Sequence, residues 1–204
     1  QADDSYPLYT TTQAPHLIRD FLAEDALGID PARVRVISPD VGGGFGQKCV
    51  LYPEEAAVTW AARLTGAPVR WTSTRSESFL ADVHGRDQVV TVDIAFGEAG
   101  RIVALRADVI DSLGAYVSMF GPPVAPIYGT PNISELYDIP AIYARIRGVY
   151  TNTTPVDAYR GAGQPETAFA VERAMDQAAV ELAIDALELR SRNLIQPDAF
   201  PFET

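Results

Sequence analysis

Val90-Thr91-Val92-Asp93-Ile94-Ala95-Phe96 alternates apolar and polar residues, and after Gly97-Glu98-Ala99-Gly100 the set Val103, Leu105, Ala107 and Val109 alternates again. A period of two sends successive side chains to opposite faces of a strand, so the stretch predicts two paired antiparallel strands. Toward the C-terminus, 121–131 is too rich in Gly and Pro for regular structure and predicts a surface excursion or a short helical segment, and 142–151 suits another strand. Ala168, Val171, Met175, Ala178 and Leu182 then recur three and four apart, with Glu172, Arg173, Asp176 and Gln177 on the other side, as in an amphipathic helix. Asp185 can cap a second helix carrying Leu187, Leu189 and Leu194. Toward the N-terminus, 68–74 reads as a strand. Pro53 starts a helix with Ala57, Trp60, Ala61 and Leu64 inward and Gly66 at its end. A strand over 34–38 follows a helix over 14–27, whose stripe is Leu17, Ile18, Phe21, Leu22 and Ala26 and which Gly28 terminates. The expected fold is α+β, a mixed or antiparallel sheet with packed helices over 1–204, with two subdomains meeting near 111–131 as a variant.

The 204 residues are 47% hydrophobic, enough to bury a core of one large domain or two small ones. No run approaches the roughly 20 apolar residues that cross a bilayer, and no basic-then-apolar signal opens the chain, so a soluble cytoplasmic protein is expected. A net charge of -11, from 16 Lys+Arg against 27 Asp+Glu, disfavours nucleic acid as a partner. The single cysteine, Cys49, excludes an intrachain disulfide and reads as a small buried hydrophobe. With only His16 and His84, no protein-ligated metal site is expected, and any metal would arrive inside an organic cofactor. The opening at Gln1 and the close at Pro201-Phe202-Glu203-Thr204 point to excision from a longer polypeptide.

Four segments carry candidate chemistry. In Val41-Gly42-Gly43-Gly44-Phe45-Gly46-Gln47-Lys48 four glycines expose backbone N–H groups, which suits an oxyanion, a phosphate or a metal-oxo group, or a purely structural turn. It is not a P-loop, because Gln47 and Cys49 flank the lysine, nor a dinucleotide fingerprint, because Gln47 stands where the third glycine is required. At Ala158-Tyr159-Arg160-Gly161-Ala162-Gly163-Gln164-Pro165-Glu166 a glycine-containing turn runs into the strong helix. There Arg160 to Gln164 can hold an anion, or Arg160 simply pairs with Asp157 or Glu166 while Pro165 starts the helix. Tyr9-Thr10-Thr11-Thr12-Gln13-Ala14-Pro15-His16 offers the Gln13 amide as a donor, although capping by Thr11 or Thr12 explains its composition as well, and His16 reads as a helix-start or surface residue. The dense polar stretch 68–87 reads as a solvated strand and helix edge.

In this order, Thr12-Gln13, Gly42-Gly43-Gly44-Phe45-Gly46, Arg75-Ser76-Glu77-Ser78 with His84-Gly85-Arg86, and Ala158-Tyr159-Arg160-Gly161-Ala162-Gly163 resemble the molybdenum hydroxylases, the large-subunit family of xanthine dehydrogenase, aldehyde oxidase and aerobic carbon monoxide dehydrogenase. The resemblance implies the first part of the molybdopterin-binding region of a larger subunit. The intact enzyme would hydroxylate a small-molecule substrate with oxygen from water, use molybdopterin (in its cytosine dinucleotide form) with molybdenum, and pass electrons to iron–sulfur and FAD subunits or domains. It implies that the Gln13 amide faces an oxo ligand, that Gly43, Gly44, Phe45 and Gly46 hold the cofactor's metal end, and that Arg160 and Gly161 approach the same centre through their backbone. The family's general base, a glutamate, lies in a later part of the subunit. Glu54, Glu55 and Glu166 are therefore read as surface or helix-end carboxylates, and the isolated chain is expected to be inactive. Three departures bear on substrate. Gly161 stands where carbon monoxide dehydrogenases carry a copper-holding cysteine, Ala162 stands where the purine and aldehyde enzymes carry an aromatic residue, and Cys49 stands where purine enzymes carry a glutamate. A non-catalytic binding or interaction module with the same fold is the alternative.

Overall fold

The computed structural model describes residues 5–202, and the chain divides into two units, Gln1–His84 and Gly85–Thr204. The region 111–131, where a boundary between subdomains was expected, lies inside the second unit, because the strand entering it and the short helical turns leaving it belong to one body.

In the first unit, β1 (Tyr6–Tyr9) pairs in parallel with β2 (Val34–Ile37), Leu8 lying opposite Val36. The helix expected over 14–27 is α1 (Pro15–Phe21) continued by a wider π-helical segment, Leu22–Leu27, and ended by Gly28 in the left-handed conformation at φ 62°. The extra residue per turn moves the inward stripe: Leu22 and Ala23 are fully buried and Leu27 packs on the core, whereas Ala26 is exposed. Leu8, Ile18, Leu22, Ala23 and Val34 form this core.

Helix α2 (Pro53–Thr65) begins at Pro53 and ends at Gly66 as its sequence predicts, but it presents a different face. Glu55 accepts from the Thr10 hydroxyl at 2.5 Å and from the Tyr52 N–H at 3.0 Å, which anchors the first turn with Glu55 inward. Thr59, one turn on, is buried, Ala56 and Val58 pack on the core, and Trp60 and Leu64 turn outward at 57% and 70% exposure. Residues 68–74 form no strand: Pro68 offers no N–H, the neighbouring side chains are exposed, and the segment leads into α3 (Arg75–Ala81), capped by Thr74 and Glu77.

The second unit is built on a three-stranded sheet in which β4 (Ile102–Gly114) pairs antiparallel with β3 (Gln88–Phe96) and parallel with β5 (Ile142–Tyr150). A register shift opposes Ala95 to Ala104 and Phe96 to Ile102, so the inward alternation begins at Ile102 and Val103 is left exposed. Helix α4 (Gln164–Glu181) lays Val171, Met175 and Ala179 against Leu105 and Ala107 of the sheet, while Leu182 lies past the helix end and is half exposed. Between β4 and β5 the chain forms short helical turns over 121–132.

Asp185 caps α5 (Ala186–Asn193), accepting from the N–H groups of Leu187 and Glu188 at 3.0 Å each. Of the three leucines expected on this helix, Leu189 is buried, Leu187 is exposed and Leu194 lies just past the helix end, and the next inward position is taken by buried Asn193. Its amide accepts from the Ile102 N–H and donates to the carbonyls of Gly100 and Leu189, tying helix to sheet. Asp185→Ala is expected to destabilise this unit by about 1 kcal/mol in denaturant unfolding, since two helix-end donors lose their acceptor.

Candidate cofactor-binding site

In the first unit the chain from β1 reaches Gln13 through three threonines held at both sides. The Thr10 N–H donates to the Ile37 carbonyl, the Thr12 hydroxyl donates to the Lys48 carbonyl at 2.9 Å, and the Gln13 N–H donates to the same carbonyl at 3.0 Å. Thr12 Oγ1 also accepts from the Ala14 N–H, but the residue at the helix cap is Ala14, so neither Thr11 nor Thr12 caps α1 directly. Buried Thr12 thus fixes the backbone from which Gln13 projects.

The glycine loop following β2 meets that side chain. The Gly46 N–H donates to Gln13 Oε1 at 3.0 Å, and a Cβ on Gly44 would lie 2.1 Å from the same oxygen. Gly44 is therefore glycine because the Gln13 amide lies directly on it. With Oε1 engaged, the Nε2 hydrogens have no acceptor among the described residues, and neither do the N–H groups of Gly42, Gly43 and Gly44. Gly46, expected to offer its own N–H outward, instead spends it on orienting Gln13.

Phe45 adopts φ 55°, a left-handed conformation costly for an aromatic residue, between Gly43 at φ 123° and Gly46 at φ 97°; its ring folds back over Gly43 and stays half exposed. The loop closes through Gln47, whose amide donates to Asp82, and through Tyr52, whose hydroxyl donates to the Gln47 carbonyl. Burial pushes the Asp82 carboxyl above its ordinary range, the Glu54 charge adds to this, and the bond from Gln47 opposes it.

In the second unit three consecutive residues take positive φ: Gly161 at 94°, Ala162 at 42° and Gly163 at 94°. Gly163 is enclosed by main chain, a Cβ there falling 2.5 Å from the Val124 carbonyl oxygen and 2.8 Å from the Gly129 nitrogen. Ahead of the turn, Asp157 is buried and accepts from the N–H groups of Phe120 and Ala158. Neither pairing considered for Arg160 forms: Asp157 is engaged by backbone, and Glu166 pairs with Arg86 at 2.8 Å. Arg86 Nη2 also donates to the Arg160 carbonyl at 2.6 Å, and its guanidinium stands 4.7 Å from the centre of the Tyr159 ring.

The sequence places Arg86 only within the His84-Gly85-Arg86 match and Asp157 only as a partner for Arg160, and neither is read there as a residue that shapes the turn. Arg86 sits in a stretch read as a solvated edge, and the adjacent Gly85 was the available signal, because a Cβ there would fall 2.7 Å from Tyr159 Cβ. Beneath the turn, burial raises the Asp111 carboxyl above its ordinary range, a bond from Gln88 at 2.9 Å opposes this, and the charges of Glu166 and Asp87 add to it.

The two segments share a construction: a strained non-glycine residue between left-handed glycines, with its surroundings fixed by side chains from elsewhere in the same unit. The donors they offer are neutral amides, suited to an anionic oxygen. Among the described residues no group of three or more His, Cys, Asp or Glu is placed to hold a metal ion.

Comparison with known proteins gives this construction its family. Residues 1–194 match the family model described as molybdopterin cofactor-binding domain. The carbon monoxide dehydrogenase large chain of Hydrogenophaga pseudoflava is 35% identical over 198 residues, which is 96% of this chain and 24% of that protein. The nicotine 6-hydroxylase large subunit of Paenarthrobacter nicotinovorans is 35% identical over 95% of this chain and 24% of its own length. Among solved structures, quinoline 2-oxidoreductase from Pseudomonas putida 86 superposes with a TM-score of 0.94 at 37% identity, covering all of this chain and 26% of that one. The chain thus spans about a quarter of the length of these relatives, and it belongs to the molybdopterin cofactor-binding domain family of the molybdenum hydroxylases.

Proposed function

We propose that the chain forms one part of a molybdopterin site, the cytosine dinucleotide form being the one intended, within a larger subunit that hydroxylates a carbon centre using oxygen from water. The observation that carries this is the Gln13 amide, held over Gly44 by the Gly46 N–H while its Nε2 donors have no acceptor among the described residues. When bound, the cofactor supplies the molybdenum at which oxygen transfer and two-electron oxidation take place. The chain's own residues would bind and orient: Gln13 Nε2 and the N–H groups of Gly43 and Gly44, which have no acceptor among the described residues, would donate to oxygen on the metal end, and in the second unit the turn at Arg160 and Gly161 offers main-chain donors of the same kind. An all-amide donor set fits a group whose metal comes with its own ligands.

The general base belongs to the part of the parent subunit outside this chain. Glu55 is engaged by Thr10 and Tyr52, and Glu166 by Arg86, which leaves neither free to take a substrate proton. Iron–sulfur and FAD subunits or domains would receive the electrons, in a cytoplasmic complex. No described helix is long and apolar enough to cross a membrane. Gly161 in place of a copper-binding cysteine argues against carbon monoxide as substrate and for an organic one, a reading that the names of the nicotine and quinoline relatives favour.

The test is Gly161→Val in the full-length subunit assembled with its partners. Gly161 stands at φ 94° with Pro165 carbons 2.5 Å from where a Cβ would be, so the turn has to move. Molybdenum and pterin content should fall by about tenfold at an unchanged polypeptide yield, the equivalent of one charge-assisted contact; full cofactor content would refute the reading. The chain of 204 residues alone should show no hydroxylase turnover with a dye acceptor, and robust turnover would show that it needs no external base.

A further inference from the structure

We infer that Arg86 is a positioning residue for the cofactor, acting through the Arg160–Gly161 peptide; the inference rests on the function proposed above. Three contacts from one guanidinium fall on the turn and on the start of the helix that follows it: Nη1 to Glu166 at 2.8 Å, Nη2 to the Arg160 carbonyl at 2.6 Å, and the cation over the Tyr159 ring at 4.7 Å. Arg86 itself takes φ 67°, and Gly85 beside it is closed against Tyr159. The backbone is therefore shaped to deliver this side chain, which surface ion pairing alone does not require.

The consequence follows from peptide planarity. In a trans peptide the C=O of one residue and the N–H of the next point in opposite directions, so drawing the Arg160 oxygen onto Arg86 aims the Gly161 N–H to the opposite side of the turn. That N–H has no acceptor among the described residues. The Ala162 N–H donates to the Tyr159 carbonyl at 2.6 Å and closes a turn across the Arg160–Gly161 peptide; the middle peptide of such a turn can take either of two orientations, and the charge-assisted bond from Arg86 holds the Arg160 oxygen in the one observed. Glu166 holds the guanidinium from the helix side and Tyr159 holds its face, so the fork can be planar and fixed, which an ammonium group cannot reproduce.

The experiment uses the full-length, cofactor-loaded complex and follows pterin released into the filtrate, with melting temperature measured in parallel. Arg86→Ala should release cofactor about tenfold faster than the unsubstituted protein, the size of one lost charge-assisted hydrogen bond, with melting lowered by only a few degrees. Arg86→Lys retains the charge opposite Glu166 but not the fork, and should also release at least about fivefold faster; it carries the test if the alanine variant accumulates poorly. Glu166→Gln keeps an acceptor and should stay within about threefold. A lower melting temperature with unchanged release in both Arg86 variants would overturn the inference, leaving Arg86 a structural tie. If Gly161→Val loses cofactor while the Arg86 variants keep it, only the role of Arg86 fails; if all three keep it, the proposed function fails as well.

Discussion

Gln13→Ala in the intact subunit should lower kcat by about a hundredfold while molybdenum content stays near that of the unsubstituted protein. A preorganised amide donor aimed at developing charge contributes on that scale, and one side chain among many backbone contacts contributes little to retention. The same loss should follow from a substitution that leaves Gln13 intact. Gly44 has no positive φ, so alanine is allowed by its backbone, but the added carbon would lie 2.1 Å from Gln13 Oε1 and 2.7 Å from its Cδ. The amide has to swing away, breaking its bond to the Gly46 N–H. Steady-state kinetics on Gly44→Ala, normalised to molybdenum, should therefore resemble those of Gln13→Ala. Turnover at the unsubstituted rate would mean that the orientation of the amide has no part in the reaction.

Gly163→Ala is expected to cost about 3 kcal/mol of stability, read by denaturant unfolding. Two penalties coincide. The residue sits at φ 94°, which an L side chain resists, and the new carbon would meet the Val124 carbonyl oxygen at 2.5 Å and the Gly129 nitrogen and Cα at 2.8 and 2.9 Å. These neighbours are main chain and cannot rotate out of the way. The Gly163 carbonyl accepts from the Thr167 N–H and hydroxyl at the start of α4, so displacement of the turn also loosens the helix start. A cost within 0.5 kcal/mol of zero, the range of ordinary surface substitutions, would contradict this close packing.

Strong periodicity made much of the second unit legible. Alternation over β3 and β4 gave their pairing, and three-and-four spacing gave α4 with Val171 and Met175 buried. Where a long-range contact sets the face, sequence alone gave the wrong one. On α2 the apolar set Trp60 and Leu64 faces outward because Thr10, 45 residues before Glu55, fixes the helix rotation. The shift at Ala95 and Phe96 likewise exchanged Val103 for Ile102, since a bulge leaves no mark in the hydrophobic pattern. The four-residue β1 carries a proline and buries only Leu8, too little pattern to detect.

In the candidate site, the glycine loop and the Arg160 turn were visible as segments, but their internal logic was not. That Gly46 serves Gln13, and that Arg86 replaces Arg160 as the partner of Glu166, depends on contacts spanning 33 and 80 residues, which composition and spacing do not encode.

The most direct test of the account is a crystal structure of the full-length subunit loaded with its molybdenum cofactor. The expected result is a molybdopterin whose metal end accepts from Gln13 Nε2 and from the N–H groups of the Gly43-to-Gly46 loop. Density showing the cofactor away from this loop, or the Gln13 amide turned away from it, would contradict the proposed function.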